Sequence, residues 1–93
     1  DETAPIIKPF NITPGKVMSK NSYIGFTISD KGTGVKSYDA YIDGRWVVMT
    51  FDAKSGRARY YFDERVGKGQ HEITFIVKDW VGNAKTYTAK FSR

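Results

Sequence analysis

Apolar and polar residues alternate along this chain in short runs, each closed by a cluster of Gly, Asp, Asn or Lys. Ile24, Phe26 and Ile28 fall on one side of a two-residue period, against Tyr23, Gly25 and Thr27. Ile73, Phe75 and Val77 stand opposite Glu72, Thr74 and Lys78, and Tyr87, Ala89 and Phe91 repeat the pattern near the end. A two-residue period with one polar face marks antiparallel strands that cover a single core. Seven runs qualify: Ile6–Phe10, Tyr23–Ser29, Val35–Ile42, Arg45–Phe51, Ala58–Phe62, His71–Lys78 and Lys85–Phe91. Turn signals recur about every ten residues, which suits a sandwich or barrel and argues against βαβ units. No window carries the 3.6-residue period of a helix of useful length.

Asp43-Gly44 between two apolar runs predicts a two-residue type I′ hairpin. That register sets Tyr41 opposite Trp46, Ala40 opposite Val47 and Tyr38 opposite Met49, with Ser37, Asp39, Tyr41, Trp46, Val48 and Thr50 on the outer face. The tight hairpin places the third and fourth strands in one sheet. The expected fold is therefore an all-β, immunoglobulin-like, fibronectin-III-like antiparallel β-sandwich of seven strands, three packed on four, forming a single domain over residues 1–93. Asp30, Asp43, Asp52, Asp63 and Asp79 each stand where an apolar run stops, and eight of the nine glycines lie in predicted turns, Gly25 being the exception. Asp side chains bond their own backbone two residues on and Gly supplies positive φ, so these residues read first as turn makers.

Composition agrees. Six Tyr, six Phe and two Trp accompany many Val, Ile and Thr, while Leu is absent, and aromatic and β-branched side chains fit a pleated, half-buried surface. The absence of cysteine excludes disulfides, thiolate metal sites and cysteine nucleophiles. No apolar run approaches the roughly 18–20 residues of a membrane-spanning helix, so no membrane insertion is expected. The formal charge of +5 could assist contact with anionic polymers. It is spread without blocks, and solubility is the simpler reading.

Candidate chemistry is sparse. His71 is the single histidine and shares parity with Ile73 and Phe75, as a half-buried strand-end residue would. Zinc needs three or four His, Cys or carboxylate ligands, and the supply is too thin, so neither enzyme activity nor a cofactor is expected. Counting strand directions brings the loops of Asp30, Asp52 and Asp79 to one end, where hard oxygen ligands could hold calcium; three independent turn caps explain them more simply. The aromatic side chains are the stronger candidates. Trp80 is read at a loop tip, and Tyr41 with Trp46 as a cross-strand pair on the outer sheet face. Such rings stack on sugars, dock a neighbouring domain, or merely cover the sandwich end and stabilise the hairpin. Nucleic acid is not an expected partner, because neither an RNP consensus nor a sheet face of interleaved aromatics and cations is legible. The sequon Asn11-Ile12-Thr13 matters only in a eukaryotic secretory host.

Four segments carry a resemblance. Asp1-Glu2-Thr3-Ala4-Pro5-Ile6-Ile7 resembles the D-x-T-A-P-x-I opening of bacterial Ig-like modules, and Asp79-Trp80-Val81-Gly82-Asn83 is similar to the D-x-x-G-N turn joining their last two strands. Ser29-Asp30-Lys31-Gly32-Thr33-Gly34-Val35 with Tyr41-Ile42-Asp43-Gly44-Arg45-Trp46-Val47 resembles the Ig-like module behind M23 (LytM-like) peptidase domains in Bacteroidetes envelope proteins. The resemblance implies an accessory domain, without catalytic residues, of a longer exported protein in the periplasm, cell envelope or extracellular space. Its partners would be a neighbouring peptidase domain of the same polypeptide or cell-wall glycan.

Overall fold

The computed structural model describes residues 5–19, 23–29, 35–52, 54–64 and 66–93. Among the described residues nine strands form two sheets: β1 (Ile6–Pro9), β2 (Lys16–Val17), β3 (Tyr23–Ser29), β4 (Val35–Ile42), β5 (Arg45–Val47), β6 (Thr50–Asp52), β7 (Arg57–Tyr61), β8 (Gln70–Asp79) and β9 (Ala84–Ser92). The four-stranded sheet has the order β1-β3-β7-β6, and the five-stranded sheet β2-β9-β8-β4-β5. The β-sandwich class is as expected, but the division is four on five rather than three on four. The opening residues Asp1–Ala4 and the segment Asp30–Gly34 lie outside the described residues.

Two departures account for the strand count. The run Arg45–Phe51 is not one strand: β5 pairs with β4, whereas β6 pairs with β7 in the opposite sheet. The chain crosses between sheets at Val48-Met49 without losing its alternation, because both sheets face the same interior. Val47 and Met49 are buried and Val48 is exposed straight through the crossing. The paired Tyr38–Met49 register therefore does not form. At the other departure, Thr13-Pro14-Gly15-Lys16 closes a turn through the Lys16 N–H donating to the Thr13 carbonyl at 3.1 Å. Gly15 stands at φ 83°, a type II arrangement with Pro first and Gly second. It carries the chain from β1 to the short strand β2, which runs parallel to β9. Ile12 and Met18, flanking that turn, are buried in the core.

Elsewhere the register is as read. Ala40 pairs with Val47 and Tyr41 with Trp46, and both turn residues have positive φ, 54° at Asp43 and 81° at Gly44. Ile24, Phe26, Ile28, Ile73, Phe75, Val77, Ala89 and Phe91 are all buried. At the centre, Phe26 of one sheet stacks on Phe75 of the other with centroids 4.6 Å apart, and Tyr87 meets Phe26 edge-on at 5.4 Å. Each central ring has an alanine beside it, Ala58 next to Phe26 and Ala40 next to Phe75. Small beside large lets the two sheets close to stacking distance without overpacking.

Candidate functional site

The hairpin β4–β5 puts Trp46 on the outer face at the edge of the five-stranded sheet. Its indole is 57% exposed, and the ring N–H donates to Asp39 Oδ1 at 3.1 Å. Asp39 lies two residues from the Trp46 partner Tyr41, the diagonal position that long side chains reach across a hairpin. The indole is thus fixed at its polar edge. Beside it runs a groove of about 600 Å³ lined by Ile42, Asp43, Arg45, Trp46, Val47 and Val66. One flat aromatic face next to a carboxylate and a guanidinium is a combination that suits a sugar ring.

Trp80 is 63% exposed at the tip of the β8–β9 turn, next to the likewise exposed Val81. It does not fold back over the sandwich, and Lys36 sets its ammonium 5.7 Å from the ring centre. Trp46 is level with Thr74 through Tyr41, and Trp80 follows Thr74 by six positions along the chain. At about 3.3 Å per residue that is roughly 20 Å. The three residues singled out from sequence therefore form two surfaces, Tyr41–Trp46 and Trp80, rather than one.

The acidic turn residues divide by what they hold. Asp52 Oδ1 accepts the Lys54 N–H, a two-residue cap. Asp79 is buried, and Oδ1 accepts the Val81 and Asn83 amides while Oδ2 accepts from the Asn83 side-chain amide. Gly82 stands at φ 92°. The D-x-x-G-N motif is thus a turn built around one carboxylate. Asp30 lies outside the described residues, and among those described no three His, Asp or Glu side chains converge as a metal site would require.

Asp43 does more than make its turn. Oδ2 lies 2.6 Å from His71 Nδ1, and Oδ1 accepts the Glu72 N–H at 2.9 Å. The other ring nitrogen of His71 lies 2.7 Å from the Gly67 carbonyl. Both nitrogens therefore face acceptors, and only the protonated imidazole donates to both. The Asp43 hydrogen bond raises the His71 pKa above its ordinary value, against the opposing effect of burial, and the Gly67 carbonyl helps. Partial burial pushes Asp43 upward, but the His71 hydrogen bond, the Glu72 amide and the imidazolium charge together hold it below its ordinary value.

Stability should follow. The raised histidine contributes fully below its unfolded pKa near 6.5 and loses that contribution as pH climbs through the raised value. The lowered carboxylate contributes above its unfolded value of 3.8 and fails only as pH falls through the lowered one. The melting temperature is expected to be highest between roughly pH 4 and 6.5 and to fall as pH rises above that window, by the equivalent of about 1 kcal/mol given the exposed Asp43 side of the pair. His71→Gln should flatten that decline, and a decline of the same size in the variant would disprove the assignment.

The other sheet carries a surface that was not anticipated. Arg57, Arg59 and Tyr61 alternate along β7 on its outer face, beside Tyr23, so a sheet face with interleaved aromatics and cations does exist. The two-residue spacing in β7 was a usable signal. Phe10, which completes the cluster, was read as part of the first strand but lies just beyond the end of β1, where spacing cannot place its ring.

Neither a protein-family model nor a curated protein sequence matches the chain. Solved structures do. An endo-beta-1,4-mannanase from Thermotoga petrophila superposes with a TM-score of 0.78 at 13% identity, over 99% of this chain and 20% of its own. The fibronectin(III)-like modules of Clostridium thermocellum CbhA give 0.62 at 20% identity, over 96% and 46%. CopC from Methylosinus trichosporium OB3b gives 0.64 at 15% identity, over 94% and 92%. The chain thus spans a fifth of the first of these structures and under half of the second. Likeness at this level of identity is likeness of fold, and the fold is an immunoglobulin-like, fibronectin-III-like β-sandwich.

Proposed function

We propose that this chain is a non-catalytic accessory domain of an exported cell-envelope protein, periplasmic or extracellular, that spaces or orients a neighbouring domain of the same polypeptide. The neighbour suggested by the sequence resemblance is an M23-like peptidoglycan peptidase. The observation that carries the reading is one of proportion: nearly all of this chain superposes on one fifth of a larger polysaccharide-cleaving enzyme, and on under half of a fibronectin(III)-like module structure. The local chemistry supports it. The carboxylates of Asp52 and Asp79 hold turns, and Asp43 ties the β4–β5 turn to β8. Continuous ladders β5-β4-β8-β9 give the stiffness a spacer needs. The isolated chain is expected neither to release soluble fragments from purified peptidoglycan nor to sediment with it. Fragment release by this chain alone would overturn the reading.

A second reading has one specific observation behind it, the Asp39-anchored indole of Trp46 beside the Asp43–Arg45 groove. In that reading the domain holds cell-wall glycan itself. Co-sedimentation with insoluble peptidoglycan that drops in Trp46→Ala but not in Trp80→Ala would replace the spacer by a binder.

A further inference from the structure

The outer face of the four-stranded sheet carries an arrangement that the spacer reading leaves unused. Gly25, the one glycine outside a predicted turn, lies at its centre. A Cβ there would come within 2.1 Å of Phe10 Cζ, so the missing side chain leaves the hollow that receives the Phe10 ring. Over that ring sit two guanidinium groups, Arg57 at 5.3 Å and Arg59 at 5.5 Å from its centre. Arg59 is also 5.5 Å from the centre of Tyr23. Tyr23 continues the row, 6.0 Å from Phe10 and 5.6 Å from Tyr61.

Both guanidinium groups thus lie within cation–π distance of these rings, and each carries five N–H donors. Neither is ion-paired with a described carboxylate; Asp52, across the ladder from Arg57, accepts the amide of Lys54. Lys8 is exposed on the same face, in line with Thr27 and Arg57. Arg57 and Arg59 are two residues apart on one strand, hence about 7 Å, and Lys8 lies two strands away, about 10 Å. The result is a flat row of cations at spacings comparable to those of acid groups along a charged polymer. Phe10 has its ring tip sunk toward Gly25 and Tyr23 is flanked by Phe10 and Tyr61, so the face presents its cations ahead of its rings and favours recognition of acid groups.

We infer that this face binds an anionic polysaccharide, its carboxylate or other acid groups pairing with Arg57, Arg59 and Lys8 and a sugar face resting on exposed Tyr61. The site is on the opposite sheet from Trp46 and is independent of the spacer and binder readings above. Calorimetric titration with polygalacturonate should give saturable binding that weakens steeply with salt, as release of counterions requires. The fully methyl-esterified polymer, with the same backbone and no charge, should bind at least tenfold more weakly. Arg57→Gln/Arg59→Gln should lose about tenfold or more, the scale of two charge-assisted contacts. Arg57→Lys/Arg59→Lys, which keeps the charge but not the planar fork, should lose several-fold. Lys78→Gln/Lys90→Gln removes equal charge from the outer face of the other sheet and should bind like the parent. Melting curves of each variant check that the fold is retained. Equal losses in the two glutamine pairs would overturn the inference by reducing it to net charge. So would binding to the esterified polymer as tight as to the acid form, no binding at all, or tighter binding to single-stranded oligothymidine.

Discussion

Phe26→Ala is expected to lower the stability of the domain by about 3–5 kcal/mol, the range for deleting a fully buried aromatic ring. Phe26 is completely inaccessible at the middle of β3, and its ring bridges the sheets through Phe75 at 4.6 Å and Tyr87 at 5.4 Å. Its neighbour on β7 is already an alanine, Ala58, also fully buried. Two adjacent alanines would leave a void that backbone held in ladders on both sides cannot collapse to fill. The Tyr87 hydroxyl is buried without a hydrogen-bond partner among the described residues. A domain of this size has about 5–10 kcal/mol in all, so the variant would sit close to unfolding at ordinary temperature. Urea denaturation measures this directly: the midpoint should fall sharply with the slope unchanged. A loss under about 1.5 kcal/mol would mean that the Phe26–Phe75 stack is not the centre of the core.

That these rings face the core could be anticipated, while the sheet partition could not, and the difference has a physical cause. Alternation records which side of a strand faces the interior, and Ile24, Phe26, Ile73 and Phe75 declare it plainly. Alternation says nothing about which sheet a strand belongs to, because a chain that crosses the core edge keeps the same sides. Val47, Val48 and Met49 pass from one sheet to the other with the pattern intact, so β5 and β6 read as one strand. β2 has two residues, fewer than any periodicity can register. The candidate surfaces were legible in the same measure. Tyr41 and Trp46 followed from the Asp43-Gly44 turn, since a two-residue hairpin fixes its own register. The bridge from Asp43 to His71 spans 28 positions of sequence and depends on β4 pairing with β8, a contact that local rules do not supply. The Arg57–Arg59–Tyr61 row lay within one strand, yet the Phe10 ring that organises it reaches over from a neighbouring segment into the space left by Gly25.

Asp79→Ala should cost about 2–3 kcal/mol, as much as many core truncations, although the residue is polar and sits in a turn. The carboxylate is 1% exposed and accepts three hydrogen bonds of 2.8–3.0 Å, from the Val81 amide, the Asn83 amide and the Asn83 side chain. Its own amide donates to the Asn83 carbonyl at 2.9 Å, so the turn is closed from both sides. Alanine removes every side-chain acceptor at once and leaves the Asn83 donors in a partly buried position that water reaches poorly. Asp79→Asn separates charge from geometry. The amide oxygen can still accept from the two backbone N–H groups, but the amide nitrogen then confronts the Asn83 side-chain donor, so a loss of about 1–2 kcal/mol is expected from that single mismatch. Asp79→Asn/Asn83→Asp exchanges the partners. It should recover part of the loss if the side-chain contact carries it, and none if the backbone bonds do. Thermal melts of the three variants order these terms. Because Trp80 stands at the tip of this turn, its fluorescence should become more readily quenched in Asp79→Ala well below the melting temperature. A variant as stable as the parent, with unchanged quenching, would show that the D-x-x-G-N turn does not depend on its carboxylate.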